Sequence, residues 1–222
     1  MKILTAPSLF ASDLANIESE VKRTEQAGAD LIHFDVMDGV YVPNLSFGFD
    51  MLKAVRRMTQ LPLDVHMMTA CPWKYIKVLA ESGADIVTVH NDVTKPENIL
   101  KIIDAVHHYG MMAGIALKPG VDAEAVVPFI NKADMILCMT VEPGFSGQKF
   151  MDMSAKIAKV REYIGDRNVS IEVDGGIKAA TAQICAAAGA NVFVVGSASY
   201  GAPSMKAALD EVKSAAESVY PG

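Results

Sequence analysis

Short apolar runs alternate with longer amphipathic segments along the whole 222-residue chain. This alternation is typical of repeated βα units, in which successive strands form a parallel sheet that helices cover. The predicted strands are ILTAPSLF, LIHFDVM, LPLDVHMM, IVTVH, MMAGIAL, MILCMTV, SIEVDGG and VFVVGS. Three phrases, AGADLI, SGADIV and AGANVF, each indicate a helix that ends at glycine and leads directly into a strand.

Eight predicted strands with helices between them favour an α/β fold of the (β/α)8 TIM barrel type, as a single domain over residues 1–222. The alternative is an open doubly wound sheet. That fold is expected to carry a glycine-rich dinucleotide fingerprint after its first strand, where this sequence reads SLFASDLAN. We therefore predict the barrel, whose active sites lie at the C-terminal ends of the strands.

Composition restricts the location and the partners of the chain. Its apolar stretches are far shorter than the ~20 residues of a membrane helix, and its N-terminal run is too short for a signal peptide. Cys71, Cys138 and Cys185 are widely spaced in mostly apolar surroundings, which is typical of reduced, buried thiols. The net charge of -6 without a basic run argues against nucleic acid and membrane partners. We expect a cytoplasmic protein that binds a small molecule, and we also expect a homo-oligomer.

Ionisable residues occupy the C-terminal ends of three predicted strands. Side chains alternate along a strand, so His33 and Asp35 both point into the barrel, and His66 and Asp174 take similar places on their own strands. Each alone is more typical of a hydrogen-bonded core histidine or a helix-capping aspartate. Four together are costly to bury without a cation. This mixed nitrogen and oxygen set predicts one divalent metal ion, Zn, Mn, Fe(II) or Co in preference to Mg or Ca.

Two other aspartates near this set are expected to have structural roles. Asp38 has the opposite parity to Asp35 and precedes Gly39, which is typical of a turn. Asp64 lies deeper in its strand than His66.

Glycine-bearing loops follow the last three predicted strands. Their glycines are Gly144, Gly147, Gly175, Gly176 and Gly196. Backbone N–H groups in such loops bind phosphate without a basic side chain, and this sector of a barrel is a recurrent phosphate site. The alternative is that these glycines only permit turns. We favour a phosphate site, because several such loops meet in one sector of the barrel.

Three methionines, Met37, Met68 and Met139, lie near the C-terminal strand ends with inward parity. Such residues usually fill gaps in a core. Next to a metal they could also form a dry, polarisable wall around a charged intermediate.

The sequence resembles the ribulose-phosphate 3-epimerase family over nearly its whole length. The stretches that carry the resemblance are APSLFASDLANI, HFDVMDGVYVPNLSFG, LDVHMM, IALKPG, MTVEPGFSGQKF, IEVDGGI and ANVFVVGSA. The resemblance implies a barrel that interconverts D-ribulose 5-phosphate and D-xylulose 5-phosphate by moving a proton at C3. It also implies that His33, Asp35, His66 and Asp174 hold the metal.

The resemblance further assigns catalysis to Asp35 and Asp174. One would take the C3 proton from one face of the sugar, and the other would return a proton to the opposite face, through a metal-stabilised cis-enediolate. Ser8 and His66 would contact the sugar, and Met37, Met68 and Met139 would line the intermediate. The implied phosphate site consists of Gly144, Phe145, Ser146, Gly147, Gly175, Gly176, Gly196 and Ser197.

Three alternatives to this function remain open at the level of sequence. Ser146 stands where the family more often has glycine, and it also fits a D-allulose 6-phosphate 3-epimerase, whose loop tolerates a small side chain. A non-catalytic sugar-phosphate-binding barrel would keep the glycine loops without the acid/base pair. A lyase or decarboxylase of similar architecture would be expected to place a lysine in the sugar pocket, for which Lys118 is the candidate.

Overall fold

The computed structural model describes residues 1–221, and in them eight strands alternate with helical segments. The strands are β1 Leu4–Pro7, β2 Ile32–Met37, β3 Leu63–Met68, β4 Ile86–His90, β5 Met112–Leu117, β6 Met135–Met139, β7 Ser170–Asp174 and β8 Val192–Val195. Each lies within one of the apolar runs from which the sequence predicts a strand.

The α-helices follow the amphipathic segments. They are α1 Ile17–Gln26, α2 Phe49–Arg56, α3 Ile76–Ser82, α4 Pro96–His108, α5 Ser154–Ile164, α6 Ala179–Ala187, α7 Ser197–Tyr200 and α8 Met205–Glu217. Between β5 and β6, where every residue is described, the helical segment is a 3₁₀ turn at Ala123–Val126. Pro119 and Pro128 bracket that turn, and proline disfavours a continuing helix. Among residues 1–221, no helix combines the length and the apolar character that crossing a membrane requires.

The strands form one parallel sheet in the order β1-β8-β7-β6-β5-β4-β3-β2. A parallel bridge between Ser8 and His33 brings β1 next to β2 and nearly closes the ring. The predicted (β/α)8 barrel is therefore confirmed. In the register between neighbours, Asp35 pairs with His66 and Met139 pairs with Asp174.

The two faces of the sheet bury different kinds of side chain. Outward side chains such as Phe34, Val65 and Phe193 belong to the large apolar core between the sheet and the helices. Inside the barrel, a smaller apolar cluster that includes Ile86 and Met135 fills the end near the strand N-termini. Polar side chains occupy the barrel interior above that cluster, towards the C-terminal ends of the strands.

The same type of hydrogen bond recurs four times around the barrel. Each time it joins the start of an odd-numbered strand to the loop that leads into the next strand. The acceptor is an Asp or Asn in the loop that leads into an even-numbered strand, and the donor is a backbone N–H at the start of the odd-numbered strand before it. The pairs are Asp30 with Thr5, Asp85 with Leu63, Asp134 with Ala113 and Asn191 with Ile171, at 2.8 to 3.0 Å. The phrases AGADLI, SGADIV and AGANVF thus mark joints at the N-terminal end of the barrel, opposite the predicted site.

The cysteines lie where apolar surroundings were predicted. Cys138 and Cys185 are buried, and Cys71 is half-buried. Burial raises the pKa of both buried thiols to about 12, so they are protonated at neutral pH.

Candidate active site

A cavity of about 540 Å³ opens at the C-terminal ends of the strands, a size suited to a small ligand. Many of the predicted site residues line it. They are Ser8, Asp35, Met37, Met68, Met139, Gly144, Phe145, Ser146, Gly147, Asp174, Gly175, Gly176, Gly196 and Ser197. His33 and His66 stand apart from this lining, because both side chains are fully buried behind it.

Asp35 lies at the centre of the polar groups. Its Oδ1 is 3.4 Å from His33 Nε2 and 3.3 Å from His66 Nδ1, and its Oδ2 accepts a hydrogen bond of 2.7 Å from the Ser8 hydroxyl. Burial alone would raise the pKa of Asp35, but the charges of His33 and His66 outweigh it and hold that pKa well below its ordinary value. Asp35 is therefore a carboxylate at neutral pH.

Asp174 ends β7 on the other side of the cavity and is more exposed than Asp35. Its Oδ2 is 4.0 Å from His66 Nδ1. Burial raises the pKa of Asp174 to about 6, with attraction to His33 opposing the shift and repulsion from Asp35 adding to it. The two carboxyl groups therefore differ in proton affinity although they share one site.

His33 is oriented by a carboxylate beneath it. Its Nδ1 lies 2.6 Å from Asp64 Oδ2, and both side chains are fully buried. Burial lowers the pKa of His33, but the carboxylates of Asp35 and Asp64 outweigh that effect and raise the pKa well above its ordinary value. Asp64, predicted to be structural, is thus a direct partner of a predicted ligand.

His66 is oriented by a second histidine. Its Nε2 lies 2.9 Å from His90 Nε2, and both rings are fully buried. Burial lowers the pKa of His90 well below its ordinary value, so His90 is neutral.

The four predicted ligands fit a divalent cation. One ligand atom from each of His33, Asp35, His66 and Asp174 lies within 4.8 Å of the others. Among the described residues, His33 Nε2 and His66 Nδ1 are buried without a hydrogen-bond partner, although buried polar atoms normally have one. Two imidazole nitrogens and two carboxylates are a donor set that Zn, Mn, Fe(II) and Co accept.

Glycine segments form the other end of the cavity. Gly175 and Gly176 have φ of 121° and 64°, a backbone region that side chains rarely adopt. A Cβ at Gly176 would lie 2.8 Å from the Phe150 backbone nitrogen, and one at Gly175 would lie 2.8 Å from that of Val141. The chain after β7 therefore packs against the loop after β6 at a distance that only glycine permits.

The three methionines form an apolar part of the cavity wall. Met37 and Met68 are buried together with Val42, in a cluster that Phe10 and Tyr41 cover. Met139 is buried in a separate cluster with Val141. All three methionines line the same cavity as Asp35 and Asp174.

Asp38 and Lys118 have partners outside the cavity. Asp38 accepts hydrogen bonds from the backbone N–H groups of Val40, Tyr41 and Ala70, as expected of a turn residue. Lys118 Nζ lies 2.9 Å from Asp92 Oδ2, so its charge is neutralised there.

Residues 4–200 match the model of the Ribulose-phosphate 3 epimerase family. The chain belongs to this family. Its members are isomerases that epimerise carbohydrates, which confirms the predicted enzyme class.

The similarity to individual epimerases extends over most of both chains. The ribulose-phosphate 3-epimerase of Rhodobacter capsulatus is 45% identical over 195 residues, which cover 88% of this chain and 85% of that protein. The Bacillus subtilis (strain 168) protein of the same description is 40% identical, with 95% and 98% covered. A rice relative described as a cytoplasmic isoform is 41% identical, with 89% and 87% covered.

More distant solved structures share the fold alone. The 3-hexulose-6-phosphate synthase of Salmonella typhimurium aligns with a TM-score of 0.73 at 21% identity and covers 98% of this chain and 100% of its own. The orotidine 5'-phosphate decarboxylase of Pyrococcus horikoshii OT3 aligns with a TM-score of 0.68 at 15% identity, with 96% and 99% covered.

Two buried residues of this epimerase-family barrel were missed by the sequence reasoning. Glu172 lies 3.6 Å from His33 Nδ1, and burial together with Asp64 raises its pKa well above the ordinary value. His90 contacts His66. A signal existed for both, because Glu172 shares the parity of Asp174 and His90 ends its strand.

Proposed function

We propose that the chain interconverts D-ribulose 5-phosphate and D-xylulose 5-phosphate by epimerisation at C3, with Asp35 and Asp174 as the two proton carriers. The names of its relatives support this substrate. The observation that carries the proposal is that the two carboxyl groups face one cavity from β2 and β7, and each approaches His66 Nδ1. Inversion at a carbon requires such a group on each face of the substrate.

The unequal surroundings of the carboxyl groups assign their roles. Asp35, held as a carboxylate, takes the C3 proton of one epimer to give an enediolate. Asp174, whose pKa is raised to about 6, has the higher proton affinity of the two and donates a proton to the opposite face of C3. The roles exchange in the reverse direction. The Ser8 hydroxyl orients Asp35 by donating to its Oδ2.

His33, Asp35, His66 and Asp174 would hold one divalent metal ion in this site, by the fit described above. When bound, the cation supplies Lewis-acid stabilisation of the negative charge on the substrate oxygens at C2 and C3 and lowers the proton affinity of both carboxylates. Met37, Met68 and Met139 exclude water from the same region.

The phosphate would lie against the glycine segments at the other end of the cavity. Gly144, Gly147, Gly176 and Gly196 line that end, and backbone N–H groups in such segments bind anions. Lys149 and Lys178 also line the cavity and add positive charge there. This arrangement would place C3 between the two aspartates.

D-Allulose 6-phosphate is the second candidate substrate. Ser146 lines the cavity with an exposed side chain, so its hydroxyl can contact a phosphate that a longer sugar would shift.

The function is tested by incubating the protein, loaded in turn with Zn, Mn, Fe(II) and Co, with each ketose phosphate in D2O. We expect NMR to show deuterium at C3 and both epimers with D-ribulose 5-phosphate. Faster turnover of D-allulose 6-phosphate would reassign the substrate and keep the reaction. Binding of either sugar without exchange for any metal would contradict catalysis and indicate a sugar-phosphate-binding barrel.

We also propose that the protein acts in the cytoplasm and forms a homo-oligomer. The description of the rice relative and the buried, protonated thiols of Cys138 and Cys185 support the first proposal. Size-exclusion chromatography with light scattering tests the second.

A further inference from the structure

Two buried imidazoles present opposite ring nitrogens to the same carboxylate. His33 Nε2 lies 3.4 Å from Asp35 Oδ1, and His66 Nδ1 lies 3.3 Å from the same oxygen. The remaining nitrogen of each ring is occupied. His33 Nδ1 contacts Asp64 at 2.6 Å, and His66 Nε2 contacts His90 Nε2 at 2.9 Å. The nitrogen that each ring can offer to a cation is therefore set by the group behind it.

Asp64 and His90 differ in how they determine which ring nitrogen can bind a cation, because one is a carboxylate and the other is an imidazole. Asp64 only accepts hydrogen bonds when ionised, so it keeps a proton on His33 Nδ1, and Nε2 is the nitrogen at which a cation would replace a proton. His90 can either donate or accept, according to its tautomer. If His90 Nε2 donates, the proton of neutral His66 is on Nδ1, where it faces Asp35 and blocks coordination. If His90 Nε2 accepts, His66 Nδ1 carries the lone pair that a cation needs.

We propose that His90 is a positioning residue for the metal site. Its Nε2 accepts a hydrogen bond from the N–H group at His66 Nε2, which keeps His66 Nδ1 free for coordination, and the proton of neutral His90 is on Nδ1. This inference rests on the proposed metal site and adds a residue to it that touches neither the cation nor the sugar.

The surroundings of His90 hold its ring in place. The ring is fully buried, and its centroid lies 5.0 Å from that of His66 and 4.8 Å from that of Tyr41. Tyr41 is itself fixed, because its hydroxyl donates to Asp92 at 2.6 Å and Lys118 Nζ lies 4.1 Å from its ring centroid. Packing thus keeps water away from the contact between the two histidines, so a solvent molecule cannot replace His90 as acceptor.

The wild-type protein gives the first test. Long-range ¹H–¹⁵N NMR of the zinc-loaded protein reports which nitrogen of each histidine carries a proton. We expect a protonated Nδ1 and an unprotonated Nε2 on His90, and a protonated Nε2 on His66. A proton on His90 Nε2 in the zinc-loaded protein would overturn the proposal without any substitution.

Zinc affinity of two variants gives the second test. In His90→Phe no acceptor remains, and we expect the affinity to fall by about 10- to 100-fold, as is typical when the partner of a ligating histidine is lost. In His90→Gln the amide oxygen can accept the same hydrogen bond, so most of the affinity should remain. The control is His108→Phe on the exposed end of α4, which should bind zinc like the wild type. Affinity is measured by competition with a chelator, and circular dichroism of the metal-free proteins confirms their folding.

The outcomes separate this proposal from the metal site itself. If the wild type binds no zinc, the metal site and the role of His90 both fail. If the wild type binds and His90→Phe binds equally well, only the role of His90 fails. Equal losses in the Phe and Gln variants would also overturn it, because packing and not hydrogen-bond acceptance would then explain the effect.

Discussion

Asp35 and Asp174 face the same cavity, but their surroundings differ. Asp35 lies between two imidazoles and accepts from Ser8, whereas Asp174 is near one imidazole at 4.0 Å. Positive neighbours favour the carboxylate, and burial favours the neutral acid. Two groups with separated proton affinities can serve as base and acid in one reaction.

Replacing either aspartate by asparagine should abolish epimerisation. Asn cannot carry the C3 proton, and loss of a general acid or base typically slows the reaction by about 100- to 10,000-fold. Because each aspartate serves one face, each variant should still exchange the C3 proton of one epimer in D2O. NMR of both sugars measures this, with Asp50→Asn on the exposed side of α2 as control. An Asp174→Asn variant that interconverts the epimers as fast as the wild type would refute the two-aspartate scheme.

Gly176→Ala should weaken substrate binding as well as stability. Its φ of 64° and the 2.8 Å approach to the Phe150 nitrogen leave no room for a Cβ, so the segments that line the phosphate end must shift. We expect KM to rise, and the free energy of unfolding to fall by about 1–3 kcal/mol. Gly110→Ala is the matched control.

Gly110 has a similar φ of 79° but nothing within 4 Å of its Cβ position, and it lies at the end of α4 away from the cavity. Its replacement should lower stability and leave KM unchanged. Equal KM values for the two alanine variants would show that the loop after β7 has no part in binding the phosphate.

Four hydrogen bonds from backbone N–H groups to Asp or Asn side chains join neighbouring strands at the N-terminal end of the barrel. In three of the four repeats an aspartate accepts the backbone N–H, and in the fourth an asparagine does so. The neutral amide of Asn191 therefore suffices for the hydrogen bond. The charge of Asp30 has a further role, because Lys2 and Lys213 lie 2.9 and 3.1 Å from its oxygens and connect β1 to α8.

Substitution of Asp30 separates these two contributions. Asp30→Asn keeps the bond to Thr5 and loses the ion pairs, whereas Asp30→Ala loses both and should cost about 1 kcal/mol more. Burial raises the pKa of Asp30, but the bond to Thr5 and the lysines outweigh it and lower the pKa below 3.8. The ionic contribution is therefore complete above pH 3.8 and is lost as the pH falls through the lower, folded-state value.

Urea unfolding of the wild type and of Asp30→Asn at several pH values measures this contribution. The difference in stability should be constant near neutral pH and shrink in acid. A difference that grows below pH 3.8 would contradict this account of Asp30. Turnover should be unchanged, because the joints lie at the opposite end of the barrel from the cavity.

The proposed metal ligands come from distant parts of the strand ring. They come from β2, β3 and β7, and β7 is not adjacent to the other two in the sheet. A cation bound to all four side chains would therefore connect opposite walls of the barrel.

Removal of the metal should lower the thermal stability of the protein. A ligand that binds only the folded state adds about 2.7 kcal/mol to the free energy of unfolding when its concentration is 100 times its Kd. The Tm should therefore rise when zinc is added after treatment with a chelator. Differential scanning calorimetry measures the change, with Asp35→Asn as the variant whose response should be reduced. An unchanged Tm for the wild type at saturating zinc, manganese, iron(II) and cobalt would argue against the site.

Most of the architecture could be predicted from the sequence because it depends on local patterns. The positions of β1 to β8 follow from apolar runs, and the inward direction of His33 and Asp35 follows from alternation along one strand. Alternation also gave the inward direction of Glu172, yet its approach to His33 could not be predicted. The reason is that the side chains around Glu172 come from other strands of the barrel, as His33 comes from β2.

By itself, the sequence determined the order of the elements, the parity of each side chain and the family to which the chain belongs. Only the tertiary structure decided which groups meet across strands. The register between β2 and β3 sets Asp35 beside His66, and the contact between β3 and β4 sets His90 behind it. These contacts depend on the stagger of strands around the ring, a geometric property of the closed barrel that no local pattern encodes.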